Sequence, residues 1–158
     1  MMATYHAANV LECEGDVVAY ARDGIAVAHC ISGDCAMGAG IARALDVEFG
    51  MRQCVLAIPD RLRAVGNAIE VRTPSGASIF NLVTKATHSE LPTYAALGMA
   101  LESLRFACDK QGLELVVMPR LGCGIDRLEW SEVLPLIVET FSGCAAEARI
   151  CYLPTKQR

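Results

Sequence analysis

The sequence predicts an α/β domain of three layers, α/β/α, with a mixed central sheet and residues 1–158 forming one unit. Three observations carry this. Short apolar runs that read as strands alternate with segments of helical periodicity. The turn Thr73-Pro74-Ser75-Gly76 separates two strand-like runs and marks an internal antiparallel hairpin, so the sheet is mixed. Two glycine-rich turns, Met37-Gly38-Ala39-Gly40-Ile41 and Leu121-Gly122-Cys123-Gly124-Ile125-Asp126, each follow a strand-like run, where ligands of such sheets collect.

Taken in order, Val10 to Cys13 is a short apolar run broken by Gly15-Asp16. Ile25 to Ile31 is nearly continuous and apolar, as expected of a strand covered on both faces. Ile41, Leu45 and Phe49 recur at helical spacing with charges between them, and Gly50 can end that helix. Val55 to Ile58 is another apolar stretch, closed by Pro59-Asp60; Arg61 to Asn67 reads as either a short helix or a loop. The hairpin strands are Ala68 to Arg72 and Ala77 to Thr84, followed by a polar, irregular segment from Lys85 to Leu91. Thr93 is an N-cap for the clearest helix, whose stripe of Tyr94, Leu97, Leu101, Leu104 and Cys108 reads as core. Gly112 closes it. Leu115 to Met118 is a buried strand. Leu134, Ile137 and Phe141 mark a last helix, in which Pro135 is tolerable only near the first turn, with Gly143 at its end. Arg149 to Leu153 is the final strand, and the Lys156–Arg158 tail is expected to fray.

A chain of 158 residues suffices for one domain with a real core, and at 53% apolar it is not a disordered chain. Fourteen basic against eighteen acidic residues give a net charge of −4, which argues against a general nucleic-acid binder. The start of the chain has neither the basic flank nor the apolar stretch of a signal peptide, and no apolar segment is long enough to cross a bilayer. A soluble, intracellular (cytoplasmic) protein is expected. None of the eight cysteines forms a C-x-x-C pair and the three histidines are scattered, so free buried thiols in a reducing compartment are expected, without metal. Cys123 lies in a glycine loop, with no histidine near in sequence to activate it; a packing or loop-shaping role is the expectation.

The chemistry-bearing signal lies in the two glycine turns. Backbone without side chains at the mouth of a helix can approach an anion and present several N–H donors. Two such loops facing one another suit the two phosphates of a diphosphate. Gly-x-Gly alone is a weak signal, and the lysine-bearing phosphate loop of ATPases is absent.

Five blocks carry a family resemblance. They are His29-Cys30-Ile31-Ser32 through Asp34-Cys35, Met37-Gly38-Ala39-Gly40-Ile41-Ala42, Leu82-Val83-Thr84-Lys85, Pro92-Thr93-Tyr94, and Met118-Pro119-Arg120-Leu121-Gly122-Cys123-Gly124-Ile125-Asp126-Arg127-Leu128 with Trp130 beyond it. In order and spacing the chain resembles the macrodomain family, and within it the terminal ADP-ribose protein glycohydrolases. The resemblance implies a macrodomain fold and a cleft for ADP-ribose. Asp16 would accept a hydrogen bond from the adenine amino group, with the backbone of Val17 beside it and Tyr152 on the adenine side. The loop from Ser32 through Met37, Gly38 and Ala39 to Gly40 and Ile41 would face the loop from Leu121 through Gly122, Cys123, Gly124 and Ile125 to Asp126, enclosing the diphosphate and distal ribose. Lys85 would attack the anomeric carbon, assisted by Asp126.

The implied partners are ADP-ribose and ADP-ribosylated protein, with an ADP-ribosylated nucleobase in nucleic acid as a variant substrate. No cofactor and no membrane is expected, and the protein is expected to be a monomer. Cys13-Glu14, Gly33, Ala36 and Ala86-Thr87 stand where the family often has more basic or polar residues, which lowers the positive charge around the cleft.

The chemistry fits these residue types. Cleavage of an ADP-ribosyl ester passes through an oxocarbenium-like state that a neutral amine can trap while a carboxylate moves protons. An exposed lysine, with a pKa of about 10.4, is mostly protonated and a poor nucleophile, so Lys85 needs partial burial. A close Asp126 would oppose that, so Asp126 is expected to reach substrate or water and not merely to pair with Lys85. Bland alternatives stand beside these roles: Lys85 as a solvated charge, Asp126 paired with Arg127, Asp16 as a cap, Ser32 as a turn former, His29 as a core histidine, and Trp130 as a packing anchor. His88 is a loop residue that could touch substrate. An ADP-ribose reader, which needs no Lys85, and an O-acyl-ADP-ribose deacylase are the competing functions; a thiol redox protein is disfavoured without C-x-x-C.

Overall fold

The computed structural model describes residues 2–154. The chain runs β1 (Ala3–Ala7), β2 (Val10–Glu14), α1 (Val17–Arg22), β3 (Val27–Ser32), α2 (Gly40–Phe49), α3 (Met51–Leu56), a 3-10 turn (Asp60–Arg63), β4 (Ala68–Arg72), β5 (Ser78–Lys85), α4 (Tyr94–Gln111), β6 (Leu115–Met118), α5 (Trp130–Phe141) and β7 (Glu147–Tyr152). The seven strands form one sheet in the order β1-β2-β7-β6-β3-β5-β4. From β2 across to β5 every neighbour is parallel, and β1 and β4 close the two edges antiparallel.

Parallel strands need covering on both faces, and alternating side chains supply both. On one face Phe80, Leu82, Met118 and Ile150 pack against Leu97, Leu101 and Leu104 of α4 and Ile137 and Phe141 of α5. On the other, Leu11, Val27, Ile79 and Val83 pack against Val17 of α1, Leu45 of α2, and Met51 and Val55 of α3. This is the expected three-layer α/β/α arrangement. The β4–β5 hairpin closes as its turn predicted, with Gly76 N–H donating to the Thr73 carbonyl at 2.9 Å and a positive φ of 88° at Gly76. The Thr93 hydroxyl caps α4 by accepting from Ala96 N–H at 3.0 Å.

Several expectations need correction. Edge strand β1 and helix α1 carry no clear sequence signal: β1 is mostly exposed and α1 is only six residues long. The run Val55 to Ile58, grouped with the strand-like segments, is the end of α3 and its exit, because so short an apolar run does not distinguish helix from strand. Arg61 to Asn67 resolves into part of the 3-10 turn and a loop. Tyr94 is not core: it is exposed, and its hydroxyl accepts from Glu129 N–H at 3.1 Å. Helix α5 starts at Trp130, so Pro135 lies inside it. The ring denies a partner to the carbonyl of Ser131, which is exposed and can turn to water, while buried Val133, Ile137 and Phe141 hold the helix to the sheet. The Lys156–Arg158 tail lies outside the described residues. No helix among the described residues is long and apolar enough to cross a membrane.

Candidate active site

The parallel strands β2, β7, β6, β3 and β5 all end along one edge of the sheet, at Glu14, Tyr152, Met118, Ser32 and Lys85. The loops leaving those ends wall a groove with two lobes. A lobe of about 500 Å³ is lined by Ser32, Met37, Gly38, Ala39, Lys85, His88, Leu121, Gly122, Ile125 and Asp126, among others. A larger one of about 1030 Å³ is lined by Asp16, Val17, Cys123, Trp130 and Tyr152, among others. Gly40, Ile41, Pro119, Arg120 and Gly124 line both, so the lobes are continuous. The two glycine turns therefore face each other across the groove.

The first turn is held in an unusual backbone. Cys35 and Met37 take φ values of 57° and 45°, in the left-handed region that non-glycine residues seldom enter. Their buried side chains and the Arg52 Nε–H, which donates to the Cys35 carbonyl at 3.0 Å, fix the loop. It opens into α2, whose N-cap residue Ala39 has no side-chain acceptor. The first-turn N–H groups of α2 therefore lack a side-chain cap from Ala39 and suit an anion. The second turn folds on itself, with Leu128 N–H donating to the Gly122 carbonyl at 2.8 Å. It does not open directly into a helix, since α5 begins only at Trp130. Gly122 has a φ of 71°, and a Cβ there would meet Leu128 Cδ1 at 2.7 Å.

At the floor of the smaller lobe, Lys85 Nζ donates to Asp126 Oδ1 at 2.5 Å and to the His88 carbonyl at 3.4 Å. The lysine side chain is 11% exposed and the aspartate 17%. The expected burial of Lys85 is present. Asp126 pairs with Lys85 and also lines the lobe: the turn back from Gly124 to Leu128, with Arg127 at φ 60°, carries the carboxylate directly onto the amine. The thiols beside them are poor nucleophiles. Burial, followed by the Asp126 charge, pushes the Cys30 thiol up to about 12, and burial also raises Cys123. Cys123 Sγ–H donates to the Leu121 carbonyl at 3.4 Å, in keeping with a loop-shaping role.

Asp16 is the N-cap of α1, its Oδ1 accepting from Val18 N–H at 2.9 Å, and it also lines the larger lobe. Ser32 donates to Asp34 Oδ1 at 2.5 Å and lines the smaller lobe. His29 is a core histidine, with Nε2 2.6 Å from Asn81 Oδ1; burial lowers its pKa to about 4 against the opposing pull of that hydrogen bond. Trp130 is more than a packing anchor. Its ring walls the larger lobe, with the Arg120 guanidinium 5.1 Å from the ring centre.

Sequence reasoning assigned no role to Arg120, Glu12 or Asp34. Arg120 stands at the junction of the lobes, also 5.9 Å from the Tyr152 ring, and donates through Nε to Glu12 Oε2 at 2.5 Å. The signal for Glu12 was a lone acid inside an apolar strand, which must find a partner when buried.

No protein-family model matches the chain. It is 40% identical over 117 residues to human ADP-ribose glycohydrolase OARD1, covering 74% of each chain. It is 36% identical over 139 residues to the Bos taurus protein of the same name, covering 84% of this chain and 89% of that one. Among solved structures, the macrodomain of Mycobacterium tuberculosis DarG superposes with a TM-score of 0.81 at 24% identity, over 92% of this chain and 98% of that chain, and supports the fold. On this fold, and with that identity over most of its length, the chain belongs to the macrodomain family of ADP-ribose glycohydrolases that includes the two OARD1 proteins.

Proposed function

We propose that this protein releases ADP-ribose from the acidic side chains of modified proteins, with Lys85 as nucleophile and Asp126 as its proton partner. The observation that carries the reading is the mostly covered Lys85–Asp126 pair in a lobe walled by both glycine turns. A module that only reads ADP-ribose needs the turns and an adenine contact but has no use for an amine at the reacting end.

The groove fits an ADP-ribose with its adenine in the larger lobe, beside Asp16, Val17 and Tyr152. The diphosphate would lie at the shared waist, near Arg120 and the uncapped start of α2. The distal ribose would then enter the smaller lobe above Lys85. An ammonium has no lone pair, so attack requires its proton to leave, and Asp126 at 2.5 Å is in position to take it. The amine then bonds to the anomeric carbon while the bond to the ester oxygen breaks, its electron pair leaving with the target's carboxylate. Water resolves the adduct and returns the lysine.

The test is release of ADP-ribose from a protein automodified on glutamate, set beside calorimetry with free ADP-ribose. Binding together with release is the expected result. Binding without release would make the protein a reader.

A further inference from the structure

A buried carboxylate that lines neither lobe stands behind the wall of the larger one. Glu12 sits in the middle of β2, between the buried residues Leu11 and Cys13, and its side chain is 7% exposed. Burying a charge is costly, and a buried ion pair is weak evidence for stability, so its position calls for another use. We infer that Glu12 is a positioning residue for ADP-ribose: it fixes the Arg120 guanidinium against the rings of both Trp130 and Tyr152, so that the wall of the larger lobe is formed before the ligand arrives. This rests on the pose proposed above, with the adenine in that lobe.

The sheet order explains the reach. Glu12 registers with Ile150 on β7, and Ile150 with Met118 on β6, so these residues form one row across the sheet. Arg120 follows just after Met118, and its side chain passes the end of β7, where Tyr152 stands, to meet β2. Its Nε–H donates to Glu12 Oε2 at 2.5 Å, while His6 Nε2 lies 3.2 Å from the other carboxylate oxygen. Both oxygens are engaged, which holds the carboxylate in one orientation. The guanidinium lies 5.1 Å from the Trp130 ring centre and 5.9 Å from that of Tyr152. Anchors from β2, β7 and the start of α5 thus meet in one planar group. Nη1 and Nη2 have no hydrogen-bond partner among the described residues, and the arginine side chain is 46% exposed. An arginine so placed offers a ligand both a flat cationic surface and unused donors where the lobes join.

What Glu12 supplies is order. A free arginine side chain loses rotamer freedom when a ligand fixes it, and that loss subtracts from affinity. With Glu12 in place the loss is taken on folding instead. The effect falls on binding and not on bond breaking, because Lys85 and Asp126 lie in the other lobe.

Calorimetry with free ADP-ribose, release kinetics on glutamate-modified protein, and acrylamide quenching of Trp130, the one tryptophan of the chain, test this. Glu12→Gln keeps the size and removes the charge. It is expected to weaken ADP-ribose binding by about tenfold, to raise KM with kcat within about twofold of the parent, and to open Trp130 to the quencher. Arg120→Lys leaves Glu12 a charged partner but no plane to meet the two rings, and should lose affinity to a similar extent. In an Arg120→Leu background, Glu12→Gln should cost no further affinity, because its effect passes through Arg120. Parent affinity in Glu12→Gln or in Arg120→Lys would overturn the inference, as would a full additional loss from Glu12→Gln in the Arg120→Leu background. Should Glu12→Gln fail to fold, Arg120→Lys decides by the same criterion. A parent that binds ADP-ribose without releasing it would overturn the glycohydrolase reading and leave this inference to the calorimetry; a parent that does not bind it would overturn both.

Discussion

Lys85 and Asp126 come from different strands' exits, and Nζ and Oδ1 stand 2.5 Å apart with both side chains mostly covered. An isolated pair so placed contributes little certain stability, because desolvation offsets the attraction. In the proposed reaction its value is chemical: the amine's proton and the carboxylate assigned to take it are already in contact. Asp126→Asn keeps the shape but cannot accept that proton. We expect turnover to fall by about 10²- to 10⁴-fold while ADP-ribose affinity stays within a few-fold, read by release kinetics and calorimetry. A loss of affinity equal to the loss of turnover would mean that Asp126 serves binding instead.

Asp16 holds two assignments at once, since it caps α1 and lines the larger lobe. Asparagine is as good an N-cap as aspartate. Asp16→Asn should therefore leave the urea midpoint nearly unchanged. In the proposed pose Asp16 accepts from the adenine amino group, so replacing that charged acceptor should weaken ADP-ribose binding by roughly tenfold or more. Asp16→Ala should additionally cost about 1 kcal/mol of stability through the lost cap. Unchanged affinity in Asp16→Asn would reduce the residue to its capping role.

How much of this was legible in the sequence differs from element to element. The central strands and α4 were readable because burial on two faces, or on one stripe, leaves a strong apolar pattern. Edge strand β1 has little burial to record, and α1 and α3 are too short for periodicity to show. The two glycine turns and Lys85 were visible as motifs. That the two turns face one another was already expected; the contact of Lys85 with Asp126 was not legible, because it depends on the order β6-β3-β5, which brings chain-distant loops side by side. Asp34 with His88 is a pair made only by the β3–β5 neighbourhood, and Glu12 with Arg120 one made only by the order β2-β7-β6.

The core histidine predicts a pH effect. Folded His29 titrates at about 4 and its unfolded counterpart at about 6.5. The unfolded chain therefore binds the proton first as pH falls. Stability should be full above pH 6.5, decline between 6.5 and 4, and lose nothing further from this residue below that. At about 1.4 kcal/mol per pH unit, the loss comes to about 3 kcal/mol. Asp34, with its lowered pKa, adds a separate loss further into the acid range. Urea unfolding at pH 7.5 and 4.5 checks this. His29→Gln should be less stable than the parent at neutral pH but should show a shallower decline across the interval.

The most direct measurement is ADP-ribose release by Lys85→Ala from glutamate-modified protein, with calorimetry on the same preparation. The amine at the floor of the smaller lobe is expected to be indispensable: release should fall to background while free ADP-ribose still binds within a few-fold of the parent. Release at the parent's rate by Lys85→Ala would contradict the assignment of that amine as nucleophile.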